Sequence, residues 1–135
     1  MLAEVLYEET GKATTTRVLS ADASGIDIEI TLQTKGKIMG VEQSSAWTYN
    51  SNTGPDGAIR GDGTGFMTTK NGDLIALKGH GNAKGADPDG SIHFRGVIFF
   101  QTTSEEFAHL NGMAGAFEYD VDPAGNATTK VWEWR

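Results

Sequence analysis

Gly57–Gly81, GAIRGDGTGFMTTKNGDLIALKGHG, reads as one long β-hairpin, and this reading decides the fold class. Asn71-Gly72 lies between two strand-like runs. Asn-Gly is the strongest short-range hairpin signal, because a type I′ turn needs positive φ at both central residues. A two-residue turn there sets Lys70 opposite Asp73. Counting outward, Gly61 faces Asn82, Gly63 faces His80 and Gly65 faces Lys78, while Asp62 faces Gly81, Thr64 faces Gly79 and Phe66 faces Leu77. A glycine inside a strand costs roughly 0.5–1 kcal/mol. Gly61, Gly63, Gly65, Gly79 and Gly81 therefore need a reason. Sharp bending, tight coiling and close approach of backbone or ligand are the usual ones. A small closed barrel supplies the geometric reasons, and a cavity inside it supplies the last.

The flanking sequence extends the same pattern. Ile26, Ile28, Ile30 and Leu32 alternate with Asp27, Glu29, Thr31 and Gln33, the period of a half-buried strand. Leu2–Ser20 reads as one or two strands bending near Gly11. Val41–Tyr49 returns after a turn at Gly40, with Trp47 and Tyr49 on one face. Asn50–Asp56 and Ala83–Gly90 are rich in turn residues. Ile92–Thr103 is a long strand, apolar enough on both sides over Gly96–Phe100 to be expected covered on both. Thr103 and Glu106 have capping-box spacing, and Asn111-Gly112 provides a stop, so SEEFAHL is the one helix candidate, with length for at most about two turns. Met113–Val121 and Ala127–Arg135 are the closing strands, with Asp122–Asn126 between them as a turn.

No βαβ alternation occurs, so the sheet is expected to be antiparallel. No strand carries proline or a lysine-studded interior as edge protection, and closure removes edges. The expected fold is all-β: a closed antiparallel barrel of about eight strands with one short helical turn, forming a single domain over residues 1–135. Such a barrel is just wide enough to fill with side chains or to hold one small ligand.

Composition narrows the functions. The 135 residues contain no cysteine, which excludes disulfides, thiolate metal sites and thiol catalysis. A net charge of -7 argues against nucleic acid and against an anionic membrane surface. The acidic beginning of the chain does not resemble a signal peptide, so a cytoplasmic location is expected.

The segments GxGxGxxxTxxGD (Gly61–Asp73), GxG (Gly79–Gly81), FRGxxFFQT (Phe94–Thr102), LNG (Leu110–Gly112), FEYxVDxxGN (Phe117–Asn126) and VWEW (Val131–Trp134) resemble a family of small uncharacterised prokaryotic proteins. Those in turn are similar to the allene oxide cyclase-like barrels. The resemblance implies an eight-stranded antiparallel barrel, often oligomeric, sometimes with a ligand in its mouth. It supplies no catalytic motif that maps residue by residue.

Candidate chemistry is sparse. Arg60, Asp62 and Thr64 share one strand face above Phe66, and this layering is the expected pocket mouth. Arg95, Glu118 and Glu133 join the candidate ligand-binding set if they point inward, where they would have to pair; the alternative is an ordinary exposed strand face. Trp47 and Tyr49 complete the set as cavity-lining aromatics, or else as core. Pairing of the Gly79 and Ile92 strands leaves room for His80 and His93 to be neighbours, but neither has metal-ligand spacing, so no metal and no cofactor are expected. Trp132 and Trp134 share one face; if outside, they make an apolar patch that wants a partner subunit. The expected function is binding of a small, partly apolar molecule in the lumen. The alternatives are a cyclase or isomerase working in that lumen, and a structural or interaction module with a filled lumen. A homo-oligomer, guessed a dimer, is expected, with no nucleic-acid or membrane partner.

Overall fold

The computed structural model describes all residues, 1–135. Eight strands run in chain order: β1 (Leu2–Asp22), β2 (Gly25–Ile38), β3 (Val41–Thr53), β4 (Ile59–Thr69), β5 (Leu74–Ala83), β6 (Ile92–Thr102), β7 (Ala114–Val121) and β8 (Asn126–Trp134). Each pairs antiparallel with its sequence neighbour, and β8 pairs with β1 to close the barrel. This is the up-and-down arrangement that short turns between consecutive strands favour. The helix expected over SEEFAHL is a single 3-10 turn, Ala108–Leu110. The Thr103–Glu106 capping box does not form; Thr102 and Asp73 take up Ser104 instead. No helix is long and apolar enough to cross a membrane.

The central hairpin forms in a register one residue away from the expected one. Gly61 faces Gly81, Asp62 faces His80, Gly63 faces Gly79, Thr64 faces Lys78, Gly65 faces Leu77 and Phe66 faces Ala76. The turn holds three residues, not two. Thr69 N–H donates to Asp73 O at 3.0 Å and Gly72 N–H to Thr69 O at 2.9 Å. The Thr69 hydroxyl binds the Asp73 carboxylate at 3.1 Å and accepts the Asp73 N–H at 3.1 Å. Gly72, with φ of 87°, is the one positive-φ residue of this turn. This is the three-residue loop with glycine at its left-handed position. The slip matters, because a one-residue shift changes which side chains share a face. All five glycines now lie on the inner face.

Two apolar layers fill the barrel. One gathers Tyr7, Ile38, Met67, Ile75, Phe100 and Val131 and is plugged by Phe107 and Leu110 from the segment before β7. The other gathers Leu32, Ile59, Ala83, Phe94, Tyr119 and Ala127. Trp47 and Phe117 pack against both layers and so span the space between them.

Closure leaves one edge. β1 pairs with β8 only over Leu2–Lys12, whereas its pairing with β2 continues to Asp22. Thr14–Asp22 therefore runs past the end of β8 with one side unpaired, and bulges interrupt it after Ala13 and Val18. Bulges are one way in which proteins blunt a free edge. β6 also departs from expectation. Phe94, Ile98 and Phe100 are buried, but Phe99 on the outer face is 46% exposed, so the strand is covered on one side only.

Candidate lumenal site

Gly61, Gly63, Gly79 and Gly81 make a bare patch on the inner wall, and aromatic rings lie against it. A Cβ on Gly61 would meet the Phe94 ring at 3.1 Å. One on Gly81 would meet Phe117 Cζ at 2.7 Å, and one on Gly63 would meet Tyr49 Cβ at 2.8 Å. At these positions the rings rest where side chains would stand, most tightly at Gly63 and Gly81. Gly79 is the exception: its added Cβ would find nothing nearer than 3.8 Å.

The space left in front of Gly79 is a cavity of ≈ 70 Å³, lined by the four glycines with Tyr7, Leu32, Trp47, Tyr49, Phe94, Ile98, Phe117, Tyr119 and Thr129. A single water needs about 10–15 Å³, and a cavity of about 150 Å³ holds benzene. The lumen is thus mostly filled, with room for several waters or a few non-hydrogen atoms of a ligand.

The cavity wall is apolar except at a few hydroxyls. Tyr49 and Tyr119 meet oxygen to oxygen at 3.1 Å, and their rings pack edge-on with centroids 5.6 Å apart. Tyr7 is buried, and its hydroxyl has no hydrogen-bond partner. Burial pushes all three phenols above their usual range; for Tyr119 the neighbouring Tyr49 adds to it, and for Tyr7 the charge of Glu9 does. These phenols are therefore neutral hydrogen-bonding groups, not phenolates.

Beside the cavity lies a buried polar cluster. Glu9 is on the same inner face as Tyr7 and opposite Thr129. Its carboxylate accepts from Gln43 Nε2 at 2.8 Å and Ser45 Oγ at 3.0 Å, and Ser45 Oγ lies 2.8 Å from Gln43 Oε1. Burial pushes the Glu9 carboxyl up, against these hydrogen bonds, which pull it down. A carboxyl displaced in this way beside a cavity is a common mark of a functional site.

The expected site residues divide. Trp47 and Tyr49 line the cavity. Arg60, Asp62, Thr64 and Phe66 do not: they alternate with the inward glycines and are exposed on the outer wall, where Asp62 binds His80 at 2.5 Å. The expected lumen mouth on this face is corrected by strand parity, since the glycines take the inner side. Arg95 and Glu118 are also outside, 4.0 Å apart, with Arg95 bound to Asp120 at 2.9 Å. Glu133 is on the inner face of β8, at its end, paired with Arg135 at 3.0 Å and away from the cavity. His80 and His93 are not neighbours: His80 faces Val97, and His93 faces Asp120. Both ring nitrogens of His93 are engaged, Nδ1 with Asp120 at 2.7 Å and Nε2 with Asp87 at 2.8 Å.

Sequence reasoning missed Tyr7, Glu9, Gln43, Ser45, Phe94 and Tyr119. Gln43 and Ser45 were within reach, because alternation back from Trp47 places both on its face. Glu9 was not, because the bulges between Leu2 and Tyr7 break the alternation that would have fixed its side.

No family model and no curated protein matches the sequence. Solved structures do share the fold. A protein of unknown function from Clostridium acetobutylicum is similar over 98% of this chain and 98% of its own, at 15% identity and a TM-score of 0.86. A β-barrel-like protein from Acinetobacter baumannii is similar over 100% of this chain and 96% of its own, at 13% identity and a TM-score of 0.83. An enzyme from Penicillium herquei is similar over 96% of this chain and 92% of its own, at 18% identity and a TM-score of 0.70. The class defined by fold and similarity is a closed eight-stranded antiparallel barrel shared with uncharacterised bacterial proteins.

Proposed function

We propose that this is a cytoplasmic barrel that binds a small, mostly apolar molecule in its lumen. The observation that carries the reading is the cavity in front of Gly79, walled by aromatic rings and bordered by a Tyr7 hydroxyl that has no protein partner. A buried polar group without a partner costs about 1–3 kcal/mol. A ligand oxygen or nitrogen beside Tyr7 relieves that cost, and the rings of Trp47, Phe94 and Phe117 supply apolar contact. Few polar groups in an otherwise apolar concavity is the usual composition of a small-molecule site.

Native mass spectrometry of freshly purified protein, compared with the denatured mass, tests this. An added mass that disappears on denaturation, and that the folded variant Gly79→Val fails to retain, supports the reading. A ligand retained equally by Gly79→Val refutes a site at the cavity. A bare mass for the wild type moves the weight to the structural reading with a filled lumen.

A second reading is favoured by Glu9. A buried carboxyl that keeps its proton to higher pH than usual suits acid–base chemistry. With the resemblance to cyclase-like barrels, and an enzyme of this fold in Penicillium herquei, it supports a cyclase or isomerase in which the lumen shapes the substrate and Glu9 moves a proton. Turnover that is lost in Glu9→Gln while ligand retention persists would favour this reading over simple binding.

A further inference from the structure

We propose that the outer face of β1, β8, β7 and β6 is the interface of a two-fold homodimer. Two adjacent rows cross these four strands without a charge. One is Leu2, Trp134, Ala114 and Phe99; the other is Val5, Trp132, Ala116 and Val97. Leu2 is 52%, Phe99 46% and Trp134 54% exposed, and Val5 is exposed as well. With an aromatic side chain offering 150–250 Å², these four alone leave on the order of 350–400 Å² of apolar surface in water. The largest apolar patch on a monomer is about 300–600 Å² and is often functional.

Three features select a second copy as the occupant. The first is shape. The alanines of β7 form a furrow between the Trp132–Trp134 ridge on one side and Phe99 and Val97 on the other. Neighbouring strands lie about 4.8 Å apart, so a two-fold axis can seat the tryptophan ridge of one copy in the alanine furrow of the other. An isologous interface needs this self-complementarity. The second is charge. The row bordering the patch, Glu8, Lys130, Glu118 and Arg95, pairs within its own chain: Lys130 with Glu8 at 3.4 Å, and Arg95 with Glu118 and Asp120. The rim offers a partner alternating, locally balanced charge, so two identical rims can meet despite a net charge of -7. A membrane surface or a nucleic acid would need a basic rim, which is not there. The third is area. A stable interface buries about 800 Å² on each partner with an apolar centre and a polar rim. The patch supplies the centre, and the Glu8–Arg95 row with the Lys78 and His80 flank supplies the rim. The same contact covers the outer side of β6, whose sequence is apolar on both faces.

Sedimentation velocity over a range of protein concentrations is the test, run on the wild type, on Trp134→Glu and on Val18→Lys. Val18 is the control, since it is 65% exposed on the free end of β1, away from the patch. The expected result is a dimer for the wild type and Val18→Lys, and a monomer for Trp134→Glu with unchanged circular dichroism. If Trp134→Glu fails to fold, Phe99→Lys replaces it with the same expected outcome. A wild type that stays monomeric at 100-fold above the lowest concentration overturns the proposal, whether or not it floats with phosphatidylcholine vesicles. So does a dimer that survives both patch variants, or one that Val18→Lys dissociates.

Discussion

Gly79→Ala should stabilise the protein, whereas Gly96→Ala should cripple it. Both glycines face inward on adjacent strands, and both have ordinary negative φ, so backbone strain does not distinguish them. Their surroundings do. A methyl at Gly79 meets the Trp47 ring and the Val97 carbonyl at 3.8 Å, normal contact distance, and extends into the cavity. Replacing glycine by alanine where the conformation is compatible gains about 0.4–1 kcal/mol through the unfolded chain. Burying the methyl adds up to about 0.8 kcal/mol. The sum is roughly 1–2 kcal/mol, a rise in Tm of about 3–6 °C for a domain of this size. A methyl at Gly96 instead collides with the His80 carbonyl oxygen and with Gly81 Cα at 2.6 Å, which are backbone atoms of the paired strand. Overpacking of this kind costs about 1–3 kcal/mol or more. Urea denaturation of the two variants beside the wild type reads both numbers. A loss of stability in Gly79→Ala comparable to that in Gly96→Ala would refute the reasoning, because it would mean that the space in front of Gly79 does not exist.

Two further expectations concern pH. Because burial raises the Glu9 carboxyl above its unfolded value, its contribution to stability is full below about pH 4.3, the unfolded value, and is lost as pH rises through the folded value. Glu9→Gln should remove that segment of the stability–pH curve, and an identical curve for the variant would show that Glu9 is not held this way. His93 is also raised, by its hydrogen bonds to Asp120 and then Asp87, so it ties the loop before β6 to β7 most firmly below about pH 6.5. NMR titration should find the ring titrating above that value, with the Asp87 loop exchanging amide protons faster once it deprotonates; a ring that titrates at or below the ordinary value refutes the clamp.

The barrel was legible in the sequence because its strands alternate strongly and their turns are short. Ile26–Leu32 announces its inner face outright, whereas Ile92–Phe100, apolar on both sides, announces a strand but not which side is inner. The register of the central hairpin was not legible, because Thr69 and Asp73 add side-chain bonds that favour a third loop residue over the Asn-Gly two-residue turn. That single residue brought all five glycines onto one face; Ile59 and Met67, buried on that same face, turn it inward and leave Arg60, Asp62, Thr64 and Phe66 outside. Trp47 and Tyr49 line the lumenal cavity, because their strand face turns toward the glycines of the neighbouring strand. Glu9 escaped notice for the opposite reason: an acid in an irregular stretch looks like surface, and only the assembled barrel brings Gln43 and Ser45 within reach of it.

The overhang of β1 gives the barrel an uneven resistance to opening. Leu2–Lys12 is held from both sides, so freeing it means breaking the ring. Thr14–Asp22 is held from one side, and the bulges spare some of its backbone groups even there. Openings of low free energy belong to segments with few partners. The ribbon that this half of β1 forms with the start of β2 can therefore open at its β1 edge and re-form, while β3 holds β2 in place. Its concave side carries Val18, Ile28 and Ile30, and Ile30 stands opposite Tyr49 of the cavity wall. On the proposed binding function, this strip beside Tyr49 is the part of the wall that yields at least cost to a passing molecule.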